Sequence, residues 1–174
     1  MKKSVKEELD KILKEYNLKD IQQLDWHDVS YCKQLSKDFI REFQDKVYWY
    51  YISHYQKLSE DFIREFKNKV DWFWISKYQK LSEDFIREFK DKINWEFVSI
   101  YVSMYHKLSE DFIREFESEV NWDCMSKYQE LSFKFISEFK DKLDLDKLLE
   151  RKLITQEDIN EIYRPVSRFE LMDI

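Results

Sequence analysis

The chain has 174 residues and a formal charge of −6, and no apolar run in it approaches the roughly 18–20 residues of a membrane span. It has no Gly, no Ala and one Pro, Pro165. That excludes a hairpin-rich β protein, whose turns need positive φ, and a glycine loop for phosphate. The negative charge disfavours a nucleic-acid ligand, because phosphate contacts need a net basic patch.

The start, MKKSVKEELDKIL, has no hydrophobic signal-peptide core. Cys32 and Cys124 match no metal or redox spacing. A soluble, cytosolic, reduced protein is expected. Residues 4–16 form an amphipathic helix with Val5, Leu9, Ile12 and Leu13 on one side. Residues 18–24 resemble a worn first helix, so 1–24 reads as an N-terminal cap.

From residue 25 the chain repeats itself. LSEDFIREF stands at 58–66, 81–89 and 108–116, with near copies at 35–43 and 131–139. Trp26, Trp49, Trp72, Trp95 and Trp122 are spaced 23, 23, 23 and 27 residues apart. Such periods are the signature of stacked repeats. Asp25, Asp71, Asn94 and Asn121 precede Trp and are expected to cap a first helix, while Tyr48 leaves that cap missing. Ser36, Ser59, Ser82, Ser109 and Ser132 are expected to cap a second helix, with Glu-Asp following in three copies where the helix dipole favours it. In the third copy Phe85, Ile86, Phe89 and Ile93 share one face, and Glu83 precedes Arg87 by four.

Each repeat therefore reads as two helices of roughly ten residues, unstable alone and stabilised by stacking. Ser30, Ser53, Ser76, Ser99 and Ser126 recur four residues after Trp. They are read as close-approach points whose hydroxyls bond a carbonyl one turn back, not as nucleophiles. The expected fold is all-α: a short α-solenoid of about five 23-residue two-helix repeats with helical caps at both ends.

Repeat 4 carries four extra residues, where Val98-Ser99-Ile100-Tyr101 is followed by Val102-Ser103-Met104-Tyr105. The extra turn should protrude or bend the stack. Residues 144–163 form a degenerate sixth repeat, with Leu145 at the Trp position, Leu148 at the Ile position and Ile159 and Ile162 in the second helix. Thr155 and Asp158 outline a capping box there. The tail 164–174 is expected to dock on the last helix or to serve as a linear motif. All 174 residues are taken as a single repeat domain, with the five repeats at 25–143.

Positions that vary between copies are where function can sit. The pair after Trp reads His27-Asp28, Tyr50-Tyr51, Phe73-Trp74, Glu96-Phe97 and Asp123-Cys124. Its second member lies about 200° from Trp around the helix. Tyr51, Trp74 and Phe97, flanked by Tyr50 and Phe73, are the candidate protein-binding stripe; the competing reading is packing against the next repeat. The position before Tyr (His54, Lys77, Lys127) and the Arg/Glu face are weaker candidates. His27, His54 and His106 share no repeat position, so no metal, cofactor or catalytic group is expected.

Codon bias explains part of this composition: absent Ala and Gly with abundant Lys, Ile, Phe and Tyr point to an AT-rich genome. The unit W-x-x-I-S-x-Y-Q-K-L-S-E-D-F-I-R-E-F, carried by Trp72, Ile75, Ser76, Tyr78, Leu81, Ser82, Phe85, Ile86 and Phe89, resembles a tandem repeat of uncharacterised proteins of phages and giant DNA viruses. The likeness covers about residues 25–143. It implies a source and a repeat architecture, and no common activity. Together these readings lead to a non-enzymatic module that binds a host protein in the host cytoplasm and inhibits or redirects it. An acidic nucleic-acid mimic, a nucleotide sponge acting against host defence and a self-assembling protein are the alternatives.

Overall fold

The computed structural model describes residues 1–102 and 107–164, without the side chains of Tyr101 and Val102. Among these residues it is all-helical, with thirteen α-helical segments and no strand. It divides into two compact units, Met1–Asn94 and Trp95–Ile174. Within each, neighbouring helices pack in the repeated order of an α-solenoid.

The first unit contains α1 (Lys3–Glu15), α2 (Trp26–Cys32), α3 (Lys37–Glu42), α4 (Trp49–Tyr55), α5 (Glu60–Glu65), α6 (Trp72–Tyr78) and α7 (Glu83–Glu88). The Trp-led helices α2, α4 and α6 lie side by side, and α1 packs on α3. In the second unit α8 (Trp95–Phe97) runs into a π turn (Val98–Val102). Then come α9 (Glu110–Glu115), α10 (Trp122–Tyr128), α11 (Phe133–Glu138), α12 (Leu145–Glu150) and α13 (Gln156–Ile162).

Local signals start the helices. Ser36, Ser59, Ser82, Ser109 and Ser132 each accept the N–H of the Phe three residues on, at 3.1–3.4 Å. Asp25, Asp71 and Asn121 cap the Trp-led helices, and Tyr48 makes no side-chain cap. The regular helices are only seven and six residues long, shorter than the expected ten. The second of each pair stops because a tight turn follows it: the Phe66 carbonyl accepts the N–H groups of Lys69 and Val70 at 2.8 and 3.0 Å. That turn returns Val70 to the core.

Phe39, Phe62, Phe85, Phe112 and Phe135, with the Ile that follows each, form the fully buried centre. Each such Phe side chain contributes about 1.5–3 kcal/mol by burial. Trp is less central than the sequence suggests. It is half-buried, and its ring lies against two Phe rings of its own repeat, as Trp49 does on Phe62 and Phe66 at 6.4 and 4.8 Å. The indole N–H groups of Trp49, Trp72 and Trp122 donate to carbonyls five residues back at 2.9–3.0 Å.

Polar side chains then join one repeat to the next. The buried Ser30, Ser76 and Ser126 hydroxyls donate to the Trp carbonyl one turn back at 2.7–2.8 Å, as expected. They also accept the first N–H of the following Trp-led unit, from Tyr48, Asn94 and Asp144, at 2.9–3.0 Å. Gln79 accepts from the Leu58 N–H at 3.0 Å and donates to the Ser53 and Gln56 carbonyls at 3.2 and 2.8 Å. In the sixth repeat Arg151 takes over that donation, reaching the equivalent Ser126 and Gln129 carbonyls at 2.6 and 2.8 Å. Glu60 and Glu110 serve beyond their own helix starts: each carboxylate receives the N–H of the next repeat's cap, Ser82 or Ser132, at 2.6 Å.

The caps differ in quality. α1 buries Val5, Leu9 and Ile12, with Leu13 half-buried. Residues 18–24 are not a worn helix; only a 3-10 turn forms at Ile21–Gln23, closed by an Asp20–Gln23 capping box. At the other end the Thr155–Asp158 capping box is present. Chain reversals without Gly use Asn17 (φ 55°) and Lys152 (φ 60°), each ending a helix in the left-handed region. The four-residue insertion is placed by Ser99, which accepts the Asn121 N–H at 3.0 Å. The extra residues therefore follow Ser99, where the helix widens into the π turn. Residues 103–106 of the duplicated stretch, and the tail from 165, lie outside the described residues.

Candidate interaction face

The outer side of α2, α4 and α6 carries a connected network of rings. Tyr51 reaches back to α2: its hydroxyl pairs with His27 Nε2 at 2.6 Å, and its ring meets the rings of His27 and Tyr31 at 4.6 and 5.6 Å. Tyr31 also meets Tyr55 edge-on at 4.9 Å. Between α4 and α6 the His54 ring stacks on Tyr55 at 4.0 Å and on Trp74 at 4.0 Å, the latter with planes only 6° apart. Tyr78 lies nearly parallel to both His54 and Trp74. Tyr50 and Phe73 meet Trp74 edge-on at 5.5 and 4.8 Å.

These contacts divide the candidate residues. Tyr50, Tyr51, Phe73 and Trp74 are brought together in one cluster. Tyr51 and Trp74 are half-buried because they fill the seams between adjacent Trp-led helices. Phe97 belongs to the second unit, on α8, and is half-buried there. The exposed surface comes from Tyr31, Tyr48, Tyr50, Tyr55, Phe73 and Tyr78, each 40–50 % exposed. Tyr31, Tyr48, Tyr55 and Tyr78 were legible only in part. Tyr55 and Tyr78 hold the repeat position six residues after Trp, which is Cys32 in the first copy, while Tyr31 and Tyr48 belong to no recurrent Tyr position.

His54 sits at the centre of this cluster. Its Nδ1 is buried and has no hydrogen-bond partner. Burial, with a smaller effect of the Lys77 charge, holds its pKa below the ordinary histidine value. Lys77 lies over the rings of Trp74 and Tyr78 at 5.4 and 5.3 Å. The acids nearest the helix starts, Asp25 and Asp71, are engaged by backbone N–H groups. The face is thus aromatic, with Lys77 over its rings and the carboxylates at its helix starts engaged by backbone N–H groups.

The Arg/Glu side has different chemistry. Arg41 pairs with Glu65 of the next repeat through Nε and Nη2, at 2.7–2.9 Å. Arg64 pairs with Glu88 at 2.7 Å and Arg114 with Glu138 at 2.9 Å. The same guanidiniums lie over the buried Phe of the next repeat, as Arg64 does over Phe85 at 5.0 Å. The hydrogen bonds that these guanidiniums donate to the carboxylates, above all, raise the Arg pKa values further. These Arg side chains are committed to joining repeats.

In the second unit the corresponding helix side is ionic. Cys124 is buried where Tyr51 and Trp74 are half-buried. Lys147 bridges Asp123 and Asp144, both at 2.5 Å, and those hydrogen bonds raise its pKa. Lys147 and Asp123, with Lys127, Glu150 and Arg151, line a cavity of about 230 Å³. Among the described residues no three His, Cys, Asp or Glu side chains converge as metal ligands, and no helix is long and apolar enough to cross a membrane. No family model, no curated protein and no solved structure matches the chain.

Proposed function

We propose that this chain is a non-enzymatic interaction module that binds a protein partner through the aromatic face of α2, α4 and α6. The supporting observation is the connected set of six large aromatics, each 40–50 % exposed, on one side of the first unit. Contiguous apolar surface of this kind marks interaction sites, and Tyr and Trp are favoured anchors because they offer large area with few rotamers to freeze. The ring network holds those rotamers before binding. The buried Ser hydroxyls are engaged by a carbonyl and an N–H, which favours binding over nucleophilic chemistry.

In keeping with the resemblance to phage and giant-virus repeats, the partner is a host protein in the host cytoplasm, which the module inhibits or redirects. An acidic nucleic-acid mimic fits less well. Glu65, Glu88 and Glu138 are neutralised by Arg rather than presented as an acidic row.

Affinity capture from a host lysate tests the proposal, comparing the natural chain with a Tyr50→Ala/Phe73→Ala/Tyr78→Ala variant. The three side chains are exposed, so the variant should keep its helical circular dichroism. A stoichiometric partner held by the natural chain and lost by the variant is the expected result. A partner retained undiminished removes the face from the account.

A further inference from the structure

The C-terminal end of the second unit is open, and the chain carries a segment matched to it. We infer that residues 166–174 form the first helix of a seventh repeat, which docks on α12 and α13 of its own chain and covers that end.

α13 buries no residue, whereas α11 buries Phe135 and Ile136. Ile159 is only half-buried, although Ile113 and Ile136 at the same repeat position are fully buried. Beside it lies a cavity of about 340 Å³, whose lining includes Lys140, Leu145, Asp146, Gln156 and Tyr163. Three of these positions meet the following repeat elsewhere in the unit. Glu117, the counterpart of Lys140, receives Lys142 at 3.4 Å. Asp123, the counterpart of Asp146, receives Lys147 at 2.5 Å. Glu110, at the position of Gln156, receives the Ser132 N–H at 2.6 Å. The cavity thus marks the surface onto which one more repeat stacks, and an array of this kind needs its last such surface covered.

The sequence after α13 keeps the register. Carried on by 23 residues from Leu145, the repeat places Arg168 at the Trp position. Val166 then takes the place of the buried Val70, Ser167 that of the capping Asp71, and Leu171 that of the fully buried Ile75. The segment also has a helix start of its own. Ser167 and Glu170 have the Ser-x-x-Glu spacing of a capping box, and Val166 and Leu171 have the spacing of a hydrophobic staple across it. Two positions depart from the pattern. Arg168 replaces Trp, and Leu149 stands where Ser126 stands one repeat earlier, so this joint lacks the serine relay and rests on Val166 and Leu171.

The connection favours the chain's own segment over a second copy. In the first unit the Phe66 carbonyl accepts the N–H groups of Lys69 and Val70 as the chain turns towards Asp71. Pro165, at the position of Lys69, has no N–H to give. The equivalent Ile162 carbonyl accepts from Lys140 Nζ at 3.3 Å instead. Tyr163 lines the cavity and Ser167 follows it by four residues, a reach of at most about 14 Å. So short a tether gives the segment an effective concentration on the order of millimolar at its own end of the array.

Hydrogen–deuterium exchange of the full chain, read by mass spectrometry at two protein concentrations, tests the inference. Amides of 171–174 should exchange at least about tenfold more slowly than in an unstructured chain, equally at both concentrations. Leu171→Asp should abolish that protection and speed exchange in α13, leaving α4 and α6 unchanged. Ser167→Ala removes only the cap and should lessen the protection about fivefold. Asp173→Ala, at the position of Lys77, should leave it in place. Tail amides that exchange at the unstructured rate overturn the inference. Protection that survives Leu171→Asp overturns the register. Protection that vanishes on dilution, with a dimer in the native mass spectrum, assigns the covering segment to a second copy and overturns docking within one chain.

Discussion

Replacing Ser76 with Ala removes one oxygen from a site only 1 % exposed and leaves the carbon frame in place. The lost hydroxyl donates to the Trp72 carbonyl at 2.7 Å and accepts from the Asn94 N–H at 2.9 Å. Losing the first bond costs about 0.5–1.5 kcal/mol, since the carbonyl keeps its place in the helix ladder. Depriving the Asn94 N–H of its acceptor costs about 1–3 kcal/mol, towards the lower end because Asn94 is half-buried and water reaches part of it. Ala gains about 0.5 kcal/mol over Ser in helix propensity. The expected net loss is about 1–3 kcal/mol. Urea unfolding followed by circular dichroism measures it, with an unchanged denaturant slope. Ser30→Ala and Ser126→Ala repeat the experiment at sites with the same pair of bonds, at 2.7 and 3.0 Å and at 2.8 and 2.9 Å. Losses below about 0.5 kcal/mol at all three sites would show that the serines are merely small, and would refute the relay between repeats.

Two other perturbations probe the ends and the aromatic face. Lys152 ends α12 in the left-handed region at φ 60°, where a Cβ is unfavourable, so Lys152→Gly should raise stability by about 0.5–1 kcal/mol; a loss of stability on thermal or urea melting would contradict the cap geometry. His54 has a depressed pKa through burial among Tyr55, Trp74 and Tyr78 and, less, through Lys77. The unfolded chain therefore takes up a proton near the ordinary value of about 6.5 while the folded chain resists it. The stability from neutral His54 is complete above that value and is lost as pH falls through the lower folded-state pKa. Urea midpoints between pH 8 and pH 5 should fall, and His54→Phe should flatten part of that fall; equal pH slopes for the two proteins would remove His54 as the cause.

Much of the architecture is written in short-range chemistry. Ser36, Ser59 and Ser82 start helices because a hydroxyl three residues from an N–H needs nothing but the local chain. The Phe-Ile pairs define a buried stripe by helical period alone, and the Thr155–Asp158 box is readable because both partners lie within one turn. Helix length was not readable in this way. The six-residue second helix stops at a turn that places Val70 in the core, and that choice is made by packing. Residues 18–24 have the right residues for a helix and form only a 3-10 turn.

The stripe of Tyr51 and Trp74 follows from sequence as a direction around a helix, and no further. Whether such a ring fills a seam or faces water depends on the side chains of the neighbouring helix. His27 and Tyr31 receive Tyr51, and Tyr50 and His54 receive Trp74. Exposure passes instead to Tyr31, Tyr48, Tyr55 and Tyr78, alongside Tyr50 and Phe73. The partners of Gln79, Arg64 and Arg151 are also decided by tertiary structure, since each bonds atoms 22–26 residues away that only stacking brings within reach. By itself, then, the sequence determined the repeat, its helix starts and its buried stripe, all set by interactions within a few residues. Only the tertiary structure decided which rings are surface and which polar side chains join the repeats, because those outcomes depend on distances between segments that no local rule contains.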